Sequence, residues 1–274
     1  MDDADRNDDS RGALVSTSLD ELRAAAESSA RLGGDVLRSW AKRFTAREKS
    51  PANLVTEADL ASQQAIFEFL RARYPDHRYL GEEGLEHEPN DSPFRWLIDP
   101  LDGTSNYVHG FPYFAVSVGV EYRDELVAGA VYDPSRDELF SAGRGTGAFL
   151  NGGALQVSSR GELSTALCMA SLPVKTRRDD PAVQQFLRVL EVAQHVQRTG
   201  SAALNLCGVA SGRVEAFWST SLQPWDMAAG VLLVQEAGGR VTTMTGGRFS
   251  VDRPDLLASN GTGLHADLMR LLTG

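Results

Sequence analysis

Two hydrophobic periods run along this chain, and the switch between them marks out its organisation. Leu22, Ala26, Gly33, Val36, Leu37 and Trp40 recur at helical spacing, and Ser18-Leu19-Asp20-Glu21 ahead of them matches a capping box. The pattern predicts a long first helix opening at Ser18. Lys49-Ser50-Pro51-Ala52-Asn53 reads as a loop. Thr56 then suits the N-cap of a second helix whose apolar positions include Leu60, Ile66, Phe67 and Leu70, with Pro75 ending it. Over residues 78–150 the pattern changes to short β-type runs at 79–80, 96–98, 114–122, 126–132 and 138–142, separated by Gly, Pro and Asp. These imply a substantially antiparallel sheet covered by the preceding helices. Beyond about residue 153 strands and helices alternate, with helices expected at 181–195, 202–211, 227–237 and 264–272. The expected organisation is an N-terminal α+β half over 16–152 and a smaller α/β half over 153–274. Residues 1–15, rich in Asp, Arg, Asn and Ser, hold too few apolar groups to offset the entropy of ordering and read as a disordered acidic tail.

Composition narrows the function. With 274 residues, 42% of them hydrophobic, the chain can fill a continuous core. A formal charge of -10 argues against a nucleic-acid or anionic-membrane binder, whose footprint is normally basic. An anionic substrate remains compatible if divalent cations over-neutralise the local carboxylates. Cys168 and Cys207 stand far apart in no paired motif, which reads as two buried free thiols. No apolar run is long enough to span a bilayer, and the Asp-rich opening does not resemble a signal peptide, so cytoplasmic residence is expected.

The most informative stretch is Trp96-Leu97-Ile98-Asp99-Pro100-Leu101-Asp102-Gly103-Thr104-Ser105-Asn106. An apolar strand runs into two acids three residues apart and then into a Gly-Thr-Ser able to open a helix. One reading is a turn in which Asp102 caps a helix. The other is a metal and phosphate site, and further acids at similar junctions favour it: Gly81-Glu82-Glu83-Gly84 after a short strand, and Pro224-Trp225-Asp226 before a helix. Hard oxygen ligands of this kind suit Mg²⁺. Each acid has a plain structural alternative, since Asp226 is a good N-cap, Glu82 and Glu83 fit a solvated turn, and Asp59 completes a capping box with Thr56.

Taken together, the segments 53–59 (Asn-Leu-Val-Thr-Glu-Ala-Asp), 81–83 (Gly-Glu-Glu), 96–106 and 225–230 (Trp-Asp-Met-Ala-Ala-Gly) strongly resemble the inositol monophosphatase family, in its order and approximate spacing. The resemblance implies a layered αβαβα sandwich of the inositol monophosphatase and fructose-1,6-bisphosphatase type. It also implies Mg²⁺-dependent, lithium-sensitive hydrolysis of a small phosphorylated metabolite with two or three metal ions, and commonly a homodimer. Carried over by position, Glu82, Asp99 and the Leu101 carbonyl match ligands of one metal, and Asp99, Asp102 and Asp226 those of a second. Gly103 and Thr104 fall where the family holds phosphate. Asp59 and Thr104, with Glu82, match the groups that orient the attacking water, and Glu83 supports that shell. Gly200, Ser201 and Ala202 match a loop lining the substrate side, where Asp102 also contributes. One position departs: seven residues before Asp226, where many members acting on inositol carry a sugar-contacting Glu, this chain has Ser219. That weakens the case for myo-inositol phosphate while leaving phosphatase chemistry intact. Histidinol-phosphate, fructose-1,6-bisphosphate and phosphoadenosine-phosphate hydrolysis are alternatives on the same scaffold.

Other signals carry less. Gly143-Arg144-Gly145-Thr146-Gly147 lacks the Lys-Ser/Thr ending of a nucleotide loop and leads into an apparent hairpin at 149–152. The five His residues, His109 included, show no zinc-ligand spacing, and no Gly-x-Ser-x-Gly elbow is present. Phe111, Tyr113, Phe114, Phe217 and Trp218 read as core or interface. Lys175-Thr176-Arg177-Arg178 reads as a solvated loop or a holder of a second phosphate, and Glu215 has no evident place in a site. A second functional reading makes the scaffold a binding or regulatory protein, against which stands the intact set Asp59, Glu82, Asp99, Asp102, Thr104 and Asp226.

Overall fold

In the computed structural model, which describes residues 18–50 and 53–274, Ser18 caps the first helix as its sequence demands. Its side chain accepts from the Glu21 amide at 3.1 Å while Glu21 accepts from the Ser18 amide at 2.9 Å. The expected acidic tail lies outside the described residues. Helix α1 (Leu19–Trp40) is followed by strands β1 (Ala46–Ser50) and β2 (Asn53–Thr56), helix α2 (Glu57–Arg73), and strands β3 (Arg78–Gly81), β4 (Leu85–His87) and β5 (Phe94–Asp102). A short α3 (Thr104–Val108) leads to β6 (Ala115–Tyr122), β7 (Glu125–Asp133), β8 (Glu138–Gly143), β9 (Gly147–Leu150) and β10 (Gly153–Ala154). The remainder comprises β11 (Leu167–Ala170), α4 (Pro181–Leu190), β12 (His195–Gln197), α5 (Ala202–Ala210), β13 (Ala216–Ser219), α6 (Pro224–Glu236), β14 (Arg240–Thr242), β15 (Leu256–Ser259) and α7 (Leu264–Thr273).

The strands form an eight-stranded sheet in the order β10-β9-β8-β7-β6-β5-β3-β4 and a five-stranded sheet in the order β12-β11-β13-β15-β14. Every pairing in the larger sheet is antiparallel except β3 with β5. Three buried clusters show how the layers stack. Leu22, Ala26, Leu37, Ile66 and Leu70 of α1 and α2 pack on Trp96, Ile98, Val118 and Tyr132 on one face of the large sheet. Leu206, Val209, Met227, Val231 and Leu232 of α5 and α6 fill the space between its other face and the small sheet. Val189, Leu264, Leu268 and Leu272 of α4 and α7 cover the far side of the small sheet around Trp218 and Leu257. This is the expected αβαβα sandwich.

Two expectations are corrected. Lys49 and Asn53, read as loop, lie in strands of a β1–β2 hairpin whose register pairs Ala46 with Thr56 and Glu48 with Leu54. The helix expected over 181–195 stops at Leu190, because the chain turns so that His195–Gln197 can pair parallel with Leu167–Met169; tertiary pairing overrides a continuous helical pattern. The hairpin after Gly147 is present, and its turn residues Asn151 and Gly152 both have positive φ, as a two-residue hairpin turn requires.

Candidate active site

The site is built where β5 runs out. Asp99 pairs opposite Ser117 and Asp102 opposite Ala115, so residues 100 and 101 face a single residue of β6. That bulge matters because residues three apart on a regular strand point to opposite faces, and one extra residue resets the alternation. Pro100, lacking an N–H, fits a break in the ladder. Asp99, 1% exposed, accepts from the Leu101 amide at 3.0 Å. Asp102 reaches across to the start of α5, accepting at one oxygen from Ser201 Oγ at 2.6 Å and the Ala203 amide at 2.7 Å. Gly103 follows with φ 96°, and a Cβ there would lie 3.0 Å from the Tyr113 carbonyl oxygen, so glycine is required.

Asp226 enters from α6, where its carboxylate accepts from the Gln223 amide at 2.8 Å as in a capping box. Asp59 caps α2 with one oxygen, accepting from the Thr56 amide at 2.9 Å and the Thr56 hydroxyl at 2.6 Å. Its other oxygen accepts from Thr104 Oγ1 at 3.2 Å, and the same hydroxyl lies 3.1 Å from the Leu101 carbonyl. The capping role and a place in the site are therefore divided between the two oxygens of one carboxylate. Glu82, just past β3, is held by its amide to the Ile98 carbonyl at 3.2 Å. Lys49, on the β1–β2 hairpin, places its ammonium 3.0 Å from Glu82 and in contact with Glu83.

Like charges crowd here. Burial, then Glu82, Asp102 and Asp226, push the Asp99 carboxyl well above its ordinary range. Burial lifts Asp102 to about 6, and burial followed by Asp102 lifts Asp226 to about 8. Burial also raises Asp59, and raises Glu83 to about 7 despite the Lys49 contact. Such a cluster is costly as free anions and is relieved by protons or by a cation. Carboxylate oxygens and a main-chain carbonyl are the hard donors Mg²⁺ takes, so the residues fit that ion. Among the described residues no three acids, histidines or cysteines converge as a ready-made cage. Asp102 and Asp226 each commit one oxygen to backbone or hydroxyl donors, and Asp59 commits both.

Two cavities flank the cluster. One of about 530 Å³ is lined by Asp102, Gly103, Thr104, Asn106 and Gly200 among others. The second, of about 280 Å³, is lined by Asp102, Gly200, Ala202, Ser221 and Asp226 among others. Of the residues singled out in the sequence, Ser201 lies beneath this surface, fully buried on Asp102. Ser219 is 1% exposed and lines neither cavity; its oxygen lies 3.3 Å from the Ser221 amide, and Ser221 is the residue that faces the space. Sequence reasoning gave no role to Asn106, whose amide donates to the Tyr113 and Thr199 carbonyls at 2.7 and 2.9 Å and so ties α3 to the loop before α5. It also missed Lys49 and Arg198, whose signals were a polar loop and a lone cation near Gly200.

The remaining candidates fall away from the cluster. The amides of Gly145 and Gly147 donate to the Glu236 carboxylate at 2.9 and 3.0 Å. Glu215 is buried under β11, accepting from the Leu167 amide at 2.8 Å and Ser158 at 2.9 Å. Cys168 and Cys207 are buried free thiols, and burial pushes Cys168 up to about 12, so neither offers a thiolate nucleophile.

A layered α/β/α/β/α scaffold with a carboxylate cluster at a bulged strand end defines the class of metal-dependent phosphatases. The chain belongs to the inositol monophosphatase family, whose profile matches residues 18–273. It is 39% identical over 251 residues to the inositol-1-monophosphatase of Rhizobium meliloti, covering 91% of this chain and 92% of that one. It is 42% identical over 222 residues to the Nus factor SuhB of Pseudomonas aeruginosa, covering 79% and 82%. The crystal structure of the extragenic suppressor protein SuhB of Bartonella henselae superposes with a TM-score of 0.87 at 37% identity, covering 92% of this chain and 98% of that one. Membership makes the protein a phosphoric monoester hydrolase.

Proposed function

We propose that the protein is a Mg²⁺-dependent hydrolase of a small phosphate monoester of the inositol-phosphate or sugar-phosphate class, acting by direct in-line attack of water with no covalent intermediate. The observation that carries this reading is the meeting of Asp99 and Asp102 from β5 with Asp226 from α6 in one self-repelling cluster, beside the Thr104–Asp59 hydrogen bond. Two or three Mg²⁺ ions, held by Glu82, Asp99, Asp102, Asp226 and the Leu101 carbonyl, would lower the pKa of bound water and stabilise the departing oxygen. Thr104 and Asp59 would orient the attacking water, with the Thr104 hydroxyl donating to Asp59 and leaving an oxygen lone pair for that water. The amides at Gly103 and Thr104 would hold the phosphate, and Gly200 and Ala202 would bound the leaving group.

The name of the Rhizobium relative points to inositol 1-phosphate as one substrate to test. Lithium sensitivity, a homodimeric state and work in the cytoplasm belong to the same reading. The test is release of phosphate from a panel of phosphorylated metabolites with Mg²⁺ and with a chelator. Mg²⁺-dependent release from inositol or sugar phosphates is the expected result; release that persists in chelator, or none from any monoester, overturns it. Light scattering on the eluting protein checks the dimer.

A further inference from the structure

Arg198 lines both cavities beside the carboxylate cluster, and among the described residues it is the only cationic side chain that lines either. The segment that follows it is anchored. The next residue, Thr199, gives its carbonyl to Asn106 at 2.9 Å and its hydroxyl to Asn205 at 2.5 Å. Two residues further, Ser201 is bonded to Asp102 at 2.6 Å. Arg198 is therefore carried on a segment tied directly to the cluster.

Several other arginines are matched to acids, Arg95 to Glu121 and Asp252, Arg136 to Asp133, and Arg213 to Glu138. Arg198 has no carboxylate within ion-pair distance among the described residues. The cavity wall beyond the cluster gives it none either. Ser171, Leu172, Pro173, Val174, Ser221 and Leu222 are neutral, and Ser219 stands beneath them. An exposed guanidinium with no acid partner, lining a cavity whose wall beyond the cluster is neutral, is matched to a second anion, since its planar fork recognises phosphate and carboxylate alike.

We propose that Arg198 selects substrates whose leaving group carries a second anionic group, a phosphate or a carboxylate, and binds that group across the cavity from the scissile phosphate. The proposal rests on the phosphatase reading above and deepens it. Polyols and neutral sugars bearing a single phosphate leave Arg198 unpaired and are the poorer class.

The experiment compares matched pairs that differ only in the second anion: glucose 6-phosphate against glucose 1,6-bisphosphate, and glycerol 3-phosphate against 3-phosphoglycerate. Both kcat/KM and Kd by calorimetry are measured for the intact protein in Mg²⁺ and for Arg198→Ala and Arg198→Lys. The doubly anionic member of at least one pair should be favoured by about tenfold or more, the scale of one charged hydrogen-bonded contact. Which pair shows the effect distinguishes phosphate from carboxylate. The preference should vanish in Arg198→Ala, survive in part in Arg198→Lys, and weaken with added salt. Equal kcat/KM and Kd within both pairs, or a preference that Arg198→Ala leaves intact, overturns the proposal. Absence of turnover on all four compounds, with an Arg198-dependent Kd preference retained, supports it, and the phosphatase reading falls only if the wider metabolite panel also releases no phosphate.

Discussion

Asp59 does two things with one carboxylate: one oxygen caps α2 at Thr56 and the other takes the Thr104 hydroxyl. Thr104→Ala should therefore keep metal affinity but lower kcat by about 10²- to 10⁴-fold, the range of a positioned proton-handling group, and Thr104→Ser should recover part of it. Calorimetric Mg²⁺ titration beside initial rates separates the two, and a loss of affinity with normal saturated rate would reverse the assigned role. Asp99→Asn should lower turnover by more than about 10²-fold, since changes even to the partners of metal ligands reach that size, while circular dichroism shows the fold retained. Near-normal rates at saturating Mg²⁺ would remove Asp99 from the metal site. At this scale the local pattern showed the acids and their capping signatures, while Thr104 was joined to Asp59 only through the family resemblance and the Ser201 bond to Asp102 was not foreseen. Thr104 lies 45 positions from Asp59 and Ser201 lies 99 from Asp102, distances over which local pattern carries no information. Ser219 shows the converse: its register to Asp226 was legible, but the strand buries its side chain and exposes Ser221 instead.

Among the elements, β5 and α6 explain why a site exists at all. The bulge at Pro100 and Leu101 brings two acids to one end of the sheet, and α6 must lie close against β6 and β7 to deliver Asp226. Small residues make that approach possible. A Cβ at Gly119 would sit 2.6 Å from the Ala228 Cβ and 3.0 Å from the Ala229 backbone nitrogen. Gly119→Ala should accordingly cost about 1–3 kcal/mol of stability by overpacking, read as a lower urea midpoint, and lower activity as α6 shifts Asp226. Ala228→Gly in the same chain should return part of the stability, because it removes the nearer clash; no coupling in the double-mutant cycle would place the strain elsewhere. The long periodic helices and the apolar strands were legible because burial of one face imposes their period. The β1–β2 hairpin was not, since Ala46-Arg47-Glu48-Lys49-Ser50 carries no apolar alternation and is paired by its backbone alone.

Across the whole molecule, stability, pH and metal should be linked through groups whose folded pKa values are displaced in opposite directions. Asp102, Glu83 and Asp226 are raised to about 6, 7 and 8, by burial first and then by neighbouring carboxylates, Glu82 among them in each case. A raised carboxyl contributes stability that is full below the unfolded carboxylate pKa near 4 and is lost as pH climbs through the folded value. His77, buried as an acceptor for Trp96 Nε1 at 2.9 Å, and His265, between Ser259 and Thr242, are lowered to about 4 by burial. Their contribution is present above about pH 6.5 and is lost as pH falls through about 4. The two effects oppose each other between about pH 4 and 6.5; above that the pH dependence of the histidine contribution fades as the unfolded imidazoles lose their protons by about pH 7.5, while the more strongly raised carboxylates still titrate. In chelator, Tm should therefore fall between about pH 6.5 and 8. Added Mg²⁺ binds only ionised carboxylates and only the folded chain, so it should raise Tm at both ends of that window and by more at pH 8 than at pH 6.5. Thermal melts at fixed ionic strength, with Mg²⁺ and with chelator, measure both slopes. A Tm that rises across the window without metal, or a Mg²⁺ shift that shrinks as pH rises, would mean that the crowded carboxylates are not the groups that bind the ion.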